Sequence, residues 1–243
     1  MKHVNILGIP FSIINHDYLI KRLSQHVQSA EKSFVITANP EIVMQANEHQ
    51  EYKNHLLRAS YITADGIGIV KASKILKNPL PERVTGYDVM MDMLQLSCDH
   101  QYSIYLLGAD KETLLSTKNN IEKQFPSIRI AGYHDGYFDW NNNRIAEEIH
   151  EKKPDIVFVA LGAPKQETWI SQHIDQFTKG VFICVGGSFD VISGNVKRAP
   201  LSWQNINLEW LYRLLKQPRR WRRMLALPRF SYRIIKQRVK NSS

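Results

Sequence analysis

Residues able to do chemistry gather just after each of several short apolar runs. Phe34-Val35-Ile36 leads into Thr37-Ala38-Asn39-Pro40-Glu41, and Tyr61-Ile62-Thr63 into Ala64-Asp65-Gly66-Ile67-Gly68. Ile104–Leu107 leads into Gly108-Ala109-Asp110, and Asp155–Leu161 into Gly162-Ala163-Pro164-Lys165-Gln166-Glu167. Val181–Val185 ends in Gly186-Gly187-Ser188-Phe189-Asp190. Any one of these sets is compatible with ordinary turn chemistry. Their coincidence points to one shared site that presents hydroxyl, carboxylate, amide and glycine backbone together. Gly186-Gly187 is a candidate phosphate cradle, because glycines admit close backbone approach and their amides bind anions.

Several chemistries are excluded. Gly66-Ile67-Gly68 is followed by Lys71 where a dinucleotide fingerprint needs its third glycine. There is no Walker lysine, no GxSxG elbow and no Asp-x-Asp pair. The nine His show no HExxH pattern, so no metal site is expected. Cys98 and Cys184 are far apart without a CxxC motif and read as free thiols of a reducing cytosol.

The elements that must position these residues alternate in type. Candidate strands are Val4–Ile9, Phe34–Ile36, Tyr61–Thr63, Ile104–Leu107, Ile128–Ala131, Ile156–Leu161 and Val181–Val185. Amphipathic stretches of about ten to fifteen residues lie between them, the mark of repeated βαβ units. Asn39-Pro40 suits an N-cap with proline at the first helical position, opening Glu41–His49. Asp110 can cap Lys111–Phe125, and Asp65 can cap a helix over Gly66–Lys77. The expected class is α/β: a Rossmann-like, mostly parallel sheet with helices on both faces, whose ligand lies beyond the C-terminal strand ends. The composition changes near Arg198-Ala199-Pro200, after which the chain reads as helical. Pro218 and Pro228 are expected to divide that region into three helices, since proline lacks the amide hydrogen a continuing helix needs.

Charge is segregated along the chain. Residues 211–243 carry eleven of the 32 Lys and Arg and none of the 23 Asp and Glu, which leaves residues 1–210 slightly acidic. Large apolar groups such as Trp210, Leu214, Trp221, Leu225, Phe230 and Ile234 are interleaved, many at helical spacing. This pattern fits a helix lying on an anionic membrane, a nucleic-acid-binding arm, or a basic helix packed on its own domain. No run approaches the roughly 18 apolar residues of a membrane span, and the N-terminus has no signal-peptide cleavage pattern.

An ordered set of motifs carries a resemblance. Thr37-x-Asn39-x-Glu41, Ala64-Asp65-Gly66, Arg83-Val84-Thr85-Gly86-x-Asp88, Leu107-Gly108 and Leu161-Gly162-Ala163-Pro164-Lys165-Gln166-Glu167 come first. Gly186-Gly187-x-Phe189-Asp190, Arg198-Ala199-Pro200, Asn207–Leu214 and Pro218-Arg219-Arg220 follow. Over residues 3 to 225 the chain resembles the WecG/TagA/CpsF family of bacterial glycosyltransferases, most nearly its members in wall teichoic acid synthesis. The resemblance implies transfer of N-acetylmannosamine from a UDP-sugar donor to lipid-diphosphate-linked N-acetylglucosamine. It further implies a β-1,4 linkage formed with inversion, no cofactor or metal, and work at the inner face of the cell membrane.

Inverting transfer needs a base for the acceptor hydroxyl, and Asp65 is the motif-matched candidate, with helix capping as its alternative role. Thr37, Gln166 and Asn39 can orient sugar or acceptor, Asn39 also being a natural cap. Gly186 and Gly187, Arg83 in the loop Asn78–Thr85, and the tail arginines Arg213, Arg220 and Arg223 are candidates to stabilise the leaving diphosphate. Gly108, Gly162 and Lys165 belong to the same rim, and Asp190 suits uridine or ribose. The expected division is an α/β catalytic domain over 1–200 and a helical membrane-associating appendage over 201–243. Two alternatives remain at this stage: the related uronic acid donor, or a non-catalytic nucleic-acid-binding module. The slightly acidic residues 1–210 argue against the module. The oligomeric state is left open.

Overall fold

Strands whose every residue is buried, such as Ile-Val-Phe-Val-Ala and Gly-Val-Phe-Ile-Cys, belong in a parallel sheet covered on both faces. The computed structural model has that architecture; it describes residues 1–140, 142–205, 208–216, 221 and 225–241. Six parallel strands, β3 (Lys32–Ala38), β4 (Tyr61–Ala64), β5 (Ser103–Gly108), β6 (Arg129–His134), β7 (Ile156–Ala160) and β8 (Gly180–Cys184), lie in the order β4-β3-β8-β7-β5-β6.

Alternate strand residues feed two core clusters. Phe34, Ile36, Tyr105, Leu107, Val157 and Val159 face one way, and Val35, Ile104, Leu106, Ile156 and Phe158 the other. The first face is covered by α2 (Pro40–Glu48), α3 (Gln50–Leu57), α4 (Ile67–Ile75), α7 (Arg144–Lys152) and α8 (Lys165–His173). The second is covered by α1 (His16–Gln28), α5 (Gly86–His100), α6 (Lys111–Gln124) and the short α9 (Ser188–Ile192). Local signals set where these helices begin. Asn15, Asn39, Thr85 and Asp110 each accept a backbone N–H of the first turn, and Pro40 occupies the first helical position of α2.

Two sequence expectations change. Val4–Ile9 is not one strand of the main sheet. It folds as an antiparallel hairpin, β1 (His3–Ile6) and β2 (Ile9–Ser12), because Leu7 and Gly8 both take positive φ, 52° and 84°. That geometry suits a two-residue hairpin turn, and the Asn5 side chain accepts the Gly8 N–H at 2.7 Å. Pro228 does not separate two helices either. It lies in the first turn of the C-terminal helix Ala226–Lys240, where its missing N–H breaks no helical bond. Pro218 lies outside the described residues.

After the sheet come α10 (Leu201–Asn205), α11 (Glu209–Lys216) and α12 (Ala226–Lys240). Helix α12 returns to the α/β unit and packs on α2 and α4, burying Phe230 and Ile234. Gln237 ties it to the hairpin: its Nε2 donates to Asn5 O at 2.9 Å, and its Oε1 accepts the Leu7 N–H at 3.0 Å. Burying two such side chains stabilises the contact by about 1.5–3 kcal/mol each.

Candidate active site

The C-terminal ends of four neighbouring strands, β4, β3, β8 and β7, open into one polar cavity of about 170 Å³. Thr37 from β3, Asn39, Asp65 after β4, Gly162 and Gln166 after β7, and Gly186 and Gly187 after β8 all line it. A second, more apolar cavity of about 330 Å³ lies beside it, under α11 and α12. Pro40, Ile67, Trp210, Leu214 and Leu227 form its apolar wall, and Lys71 and Arg83 its cations. Asn39, Glu41 and Asp65 belong to both walls.

Asp65 is held at this junction by its backbone, whose N–H donates to Ala38 O at 2.9 Å. The helix that follows takes Gly66, one residue after Asp65, as its N-cap. Asn39 caps α2: its Oδ1 accepts the Ile42 N–H at 3.0 Å while the residue still lines the cavity.

Gln166 is buried and fixed in orientation. Its Oε1 accepts the Gly186 N–H at 3.1 Å and its Nε2 donates to Glu167 Oε1 at 2.8 Å. Glu167 is fully buried, and its Oε2 also accepts the Tyr52 hydroxyl at 3.1 Å. Burial pushes the Glu167 carboxyl above its ordinary range, opposed by the donors from Gln166, its own backbone and Tyr52. The Tyr52 hydroxyl is pushed up in turn, by burial first and then by Glu167. The Gly186 amide is thus engaged with Gln166, which narrows the expected two-glycine phosphate cradle to Gly187 and what surrounds it.

Thr37 donates from Oγ1 to Cys184 O at 3.3 Å. Gly86 presses against this bond: a Cβ there would lie 2.9 Å from Thr37 Oγ1 and 3.2 Å from Cys184 O. Gly86→Ala is therefore expected to wedge Thr37 away from β8. It should lower the melting temperature, at about 1–3 kcal/mol of overpacking, and reduce transfer ~10-fold or more. A variant with native melting temperature and turnover would show that this contact yields freely.

Other expected site residues are placed elsewhere. Arg83 lines the second cavity, not the first, and its Nη1 pairs with Glu209 Oε2 of α11 at 3.0 Å. Gly108 is not among the lining residues. It ends β5, one strand beyond β7, and a Cβ there would meet the Ala160 backbone at 2.5 Å, so close strand approach accounts for it. Lys165 opens α8, is exposed, and lines neither cavity. Asp190 sits on α9 with Oδ2 3.4 Å from where a Gly187 Cβ would stand, beside the cavity and outside its lining. Arg213 falls on α11, while Arg220 and Arg223 lie outside the described residues. Thr85, Tyr87, Glu41 and Ser188 line the first cavity without having been singled out. All four fall inside the motifs Thr37-x-Asn39-x-Glu41, Arg83–Asp88 and Gly186-Gly187-x-Phe189-Asp190, which was the available signal.

A parallel α/β sheet with a polar site across adjoining strand ends defines a ligand-binding enzyme fold of the Rossmann-like class. The model of the glycosyl transferase WecG/TagA/CpsF family matches residues 4–243, and the chain belongs to that family. It is 42% identical to a protein of Bacillus spizizenii over 204 residues, 84% of this chain and 79% of that protein. It is 41% identical to a Bacillus subtilis protein over 239 residues, 98% of this chain and 93% of that one. A Staphylococcus aureus protein is 38% identical over 239 residues, 98% and 94% of the two chains. All three bear the name N-acetylglucosaminyldiphosphoundecaprenol N-acetyl-beta-D-mannosaminyltransferase.

Proposed function

We propose that this protein moves N-acetylmannosamine from its UDP donor to undecaprenyl-diphosphate-linked N-acetylglucosamine, an early step of wall teichoic acid linkage-unit synthesis. The observation that carries the reading is Asp65 on the wall common to a polar cavity and an apolar one. A transferase needs its base where donor and acceptor meet. In this reading the polar cavity takes the UDP-sugar, and the apolar cavity takes the acceptor sugar with its diphosphate and the first part of its lipid. Asp65 removes the acceptor hydroxyl proton as the oxygen attacks the anomeric carbon, and UDP leaves from the opposite face. Thr37, Asn39 and the fixed amide of Gln166 orient the sugars. Gly187 and the tail arginines Arg213, Arg220 and Arg223 offset the charge that develops on UDP, and Lys71 with Arg83 serves the acceptor diphosphate.

The test is UDP release from a panel of donors with a short-chain lipid-diphosphate N-acetylglucosamine acceptor. Release that depends on acceptor and prefers UDP-N-acetylmannosamine is expected. Preference for the uronic acid donor would assign the chain to that branch, and release indifferent to acceptor would overturn the transferase reading. Among the described residues no three His, Cys, Asp or Glu side chains cluster to hold a metal ion. Activity is expected to survive EDTA, and a strict Mg²⁺ or Mn²⁺ requirement would remove the cation-and-backbone account.

The same reading assigns residues 201–243 to an appendage that docks on the inner face of the cell membrane, with no nucleic acid partner. Among the described residues no helix is long and apolar enough to cross a membrane. The support is the outer side of α12, where Tyr232, Ile235 and Val239 are 69%, 57% and 62% exposed among Arg229, Lys236 and Lys240. Each cation near an anionic bilayer contributes about 1 kcal/mol, enough in sum for reversible docking. Replacing Tyr232, Ile235 and Val239 together by Ser is expected to weaken co-sedimentation with phosphatidylglycerol vesicles at least ~10-fold, more so in salt, with the melting temperature unchanged. Unchanged sedimentation would refute membrane docking by this face. Truncation at 229 is the poorer test, because it also strips Phe230 and Ile234 from α2 and α4.

A further inference from the structure

Tyr87 is the one aromatic side chain lining the polar cavity among the described residues. It does not line the apolar cavity, so it stands on the part of the wall that the two do not share. One face of its ring is covered by Arg198, whose guanidinium carbon lies 4.5 Å from the ring centroid and which does not itself line the cavity. Asp88 grips that guanidinium with two contacts, Nη1 to Oδ1 at 2.7 Å and Nη2 to Oδ2 at 3.0 Å. Thr85 Oγ1 in turn donates to Asp88 Oδ2 at 2.6 Å and caps α5 by accepting the Asp88 N–H at 3.1 Å. Burial alone would raise the Asp88 carboxyl, but Arg198 and Thr85 outweigh it and hold it below its ordinary range. Arg198 Nε is buried without a hydrogen-bond partner among the described residues. The guanidinium is therefore set by the ring and the carboxylate rather than by saturation of its donors.

The rest of the cavity suits other parts of a nucleotide-sugar. Hydroxyl, amide and glycine groups match a pyranose, a ribose and phosphates. The only aromatic ring in a UDP-sugar is its pyrimidine, and Tyr87 offers the only ring among the described lining residues, which also include Val185 and Val191. Helix α5, which carries Tyr87, packs directly on α9, which carries Val191. We propose that the pyrimidine base of the donor stacks on Tyr87, and that Arg198 is a positioning residue that fixes this platform. The proposal rests on the nucleotide-sugar reading above. It also makes the donor site depend on the segment that opens the C-terminal region, since Arg198 stands 110 residues from Asp88 in the chain.

The test uses the full chain and separates binding from chemistry. Base stacking on an aromatic side chain is worth about 10-fold or more in affinity. Tyr87→Leu should raise the donor KM and the UDP Kd by about that factor, with kcat within ~3-fold of native and an unchanged acceptor KM. Tyr87→Phe keeps the ring and should restore both values. Arg198→Met should raise the donor KM in the same way, and Arg198→Lys, which keeps the charge but not the two-pronged guanidinium, should fall between. Native UDP affinity in Tyr87→Leu would overturn the platform. Parallel losses in kcat, donor KM and acceptor KM would show a structural role instead. A native donor KM in both Arg198 variants would remove Arg198 from the donor site. If the unaltered chain neither bound UDP nor released it in the presence of acceptor, the nucleotide-sugar reading itself would fall, a result distinct from any of these.

Discussion

Asp65→Asn is expected to lower turnover at least ~100-fold, the usual scale for loss of a general base, while donor binding and melting temperature stay close to native. The substitution is nearly isosteric and keeps the backbone N–H bond to Ala38 O. The N-cap residue of α4 is Gly66, which the substitution leaves in place. The loss should therefore appear in kcat and not in stability. UDP binding followed alongside acceptor-dependent UDP release separates the two. Turnover within a few-fold of native in the folded variant would leave Asp65 as a wall residue and move the search for the base to Glu41, which lines both cavities as well.

Deleting residues 211–243 is expected to abolish transfer even to a soluble acceptor. The deletion removes Leu214, Leu227 and Ser231 from the apolar cavity, opening the acceptor side of Asp65 to water. None of the described residues lining the polar cavity is lost, so UDP should still bind, weaker only by what the tail arginines contribute. A division at residue 200 would leave the α/β core indifferent to this cut, but the packing of α12 on α2 and α4 changes that. Phe230 and Ile234 are buried against the unit, so the melting temperature should also fall. Replacing Leu214 and Leu227 together by Gln tests the cavity without uncovering α2 and α4, and should reproduce most of the loss. Full activity of the deletion on a soluble acceptor would make the tail an anchor alone.

Much of this was legible because it is local. Alternating or continuous apolar runs mark strands, and Asn39-Pro40 and Asp110 mark helix starts within a few residues. Thr37, Asn39, Asp65, Gly162, Gln166, Gly186 and Gly187 could be gathered in advance because a parallel sheet puts all its C-terminal strand ends on one rim. Membership in that rim follows from strand direction alone.

What the sequence by itself determined, then, is the α/β class, the rim residues and the separation of a basic tail from a slightly acidic body. Only the tertiary structure decided which rim residues are neighbours. Every buried parallel strand reads alike, so the order β4-β3-β8-β7-β5-β6 is invisible in apolar patterning, and with it the exclusion of Gly108 on β5. The long-range pairs are invisible for the same reason. Arg83 meets Glu209 across 126 residues, Tyr52 meets Glu167 across 115, and Arg198 meets Asp88 across 110. A charge or hydroxyl in a sequence has no partner until packing supplies one. Here packing paired Arg83 with Glu209 and the Gly186 amide with Gln166, and it placed Asp65 between two cavities.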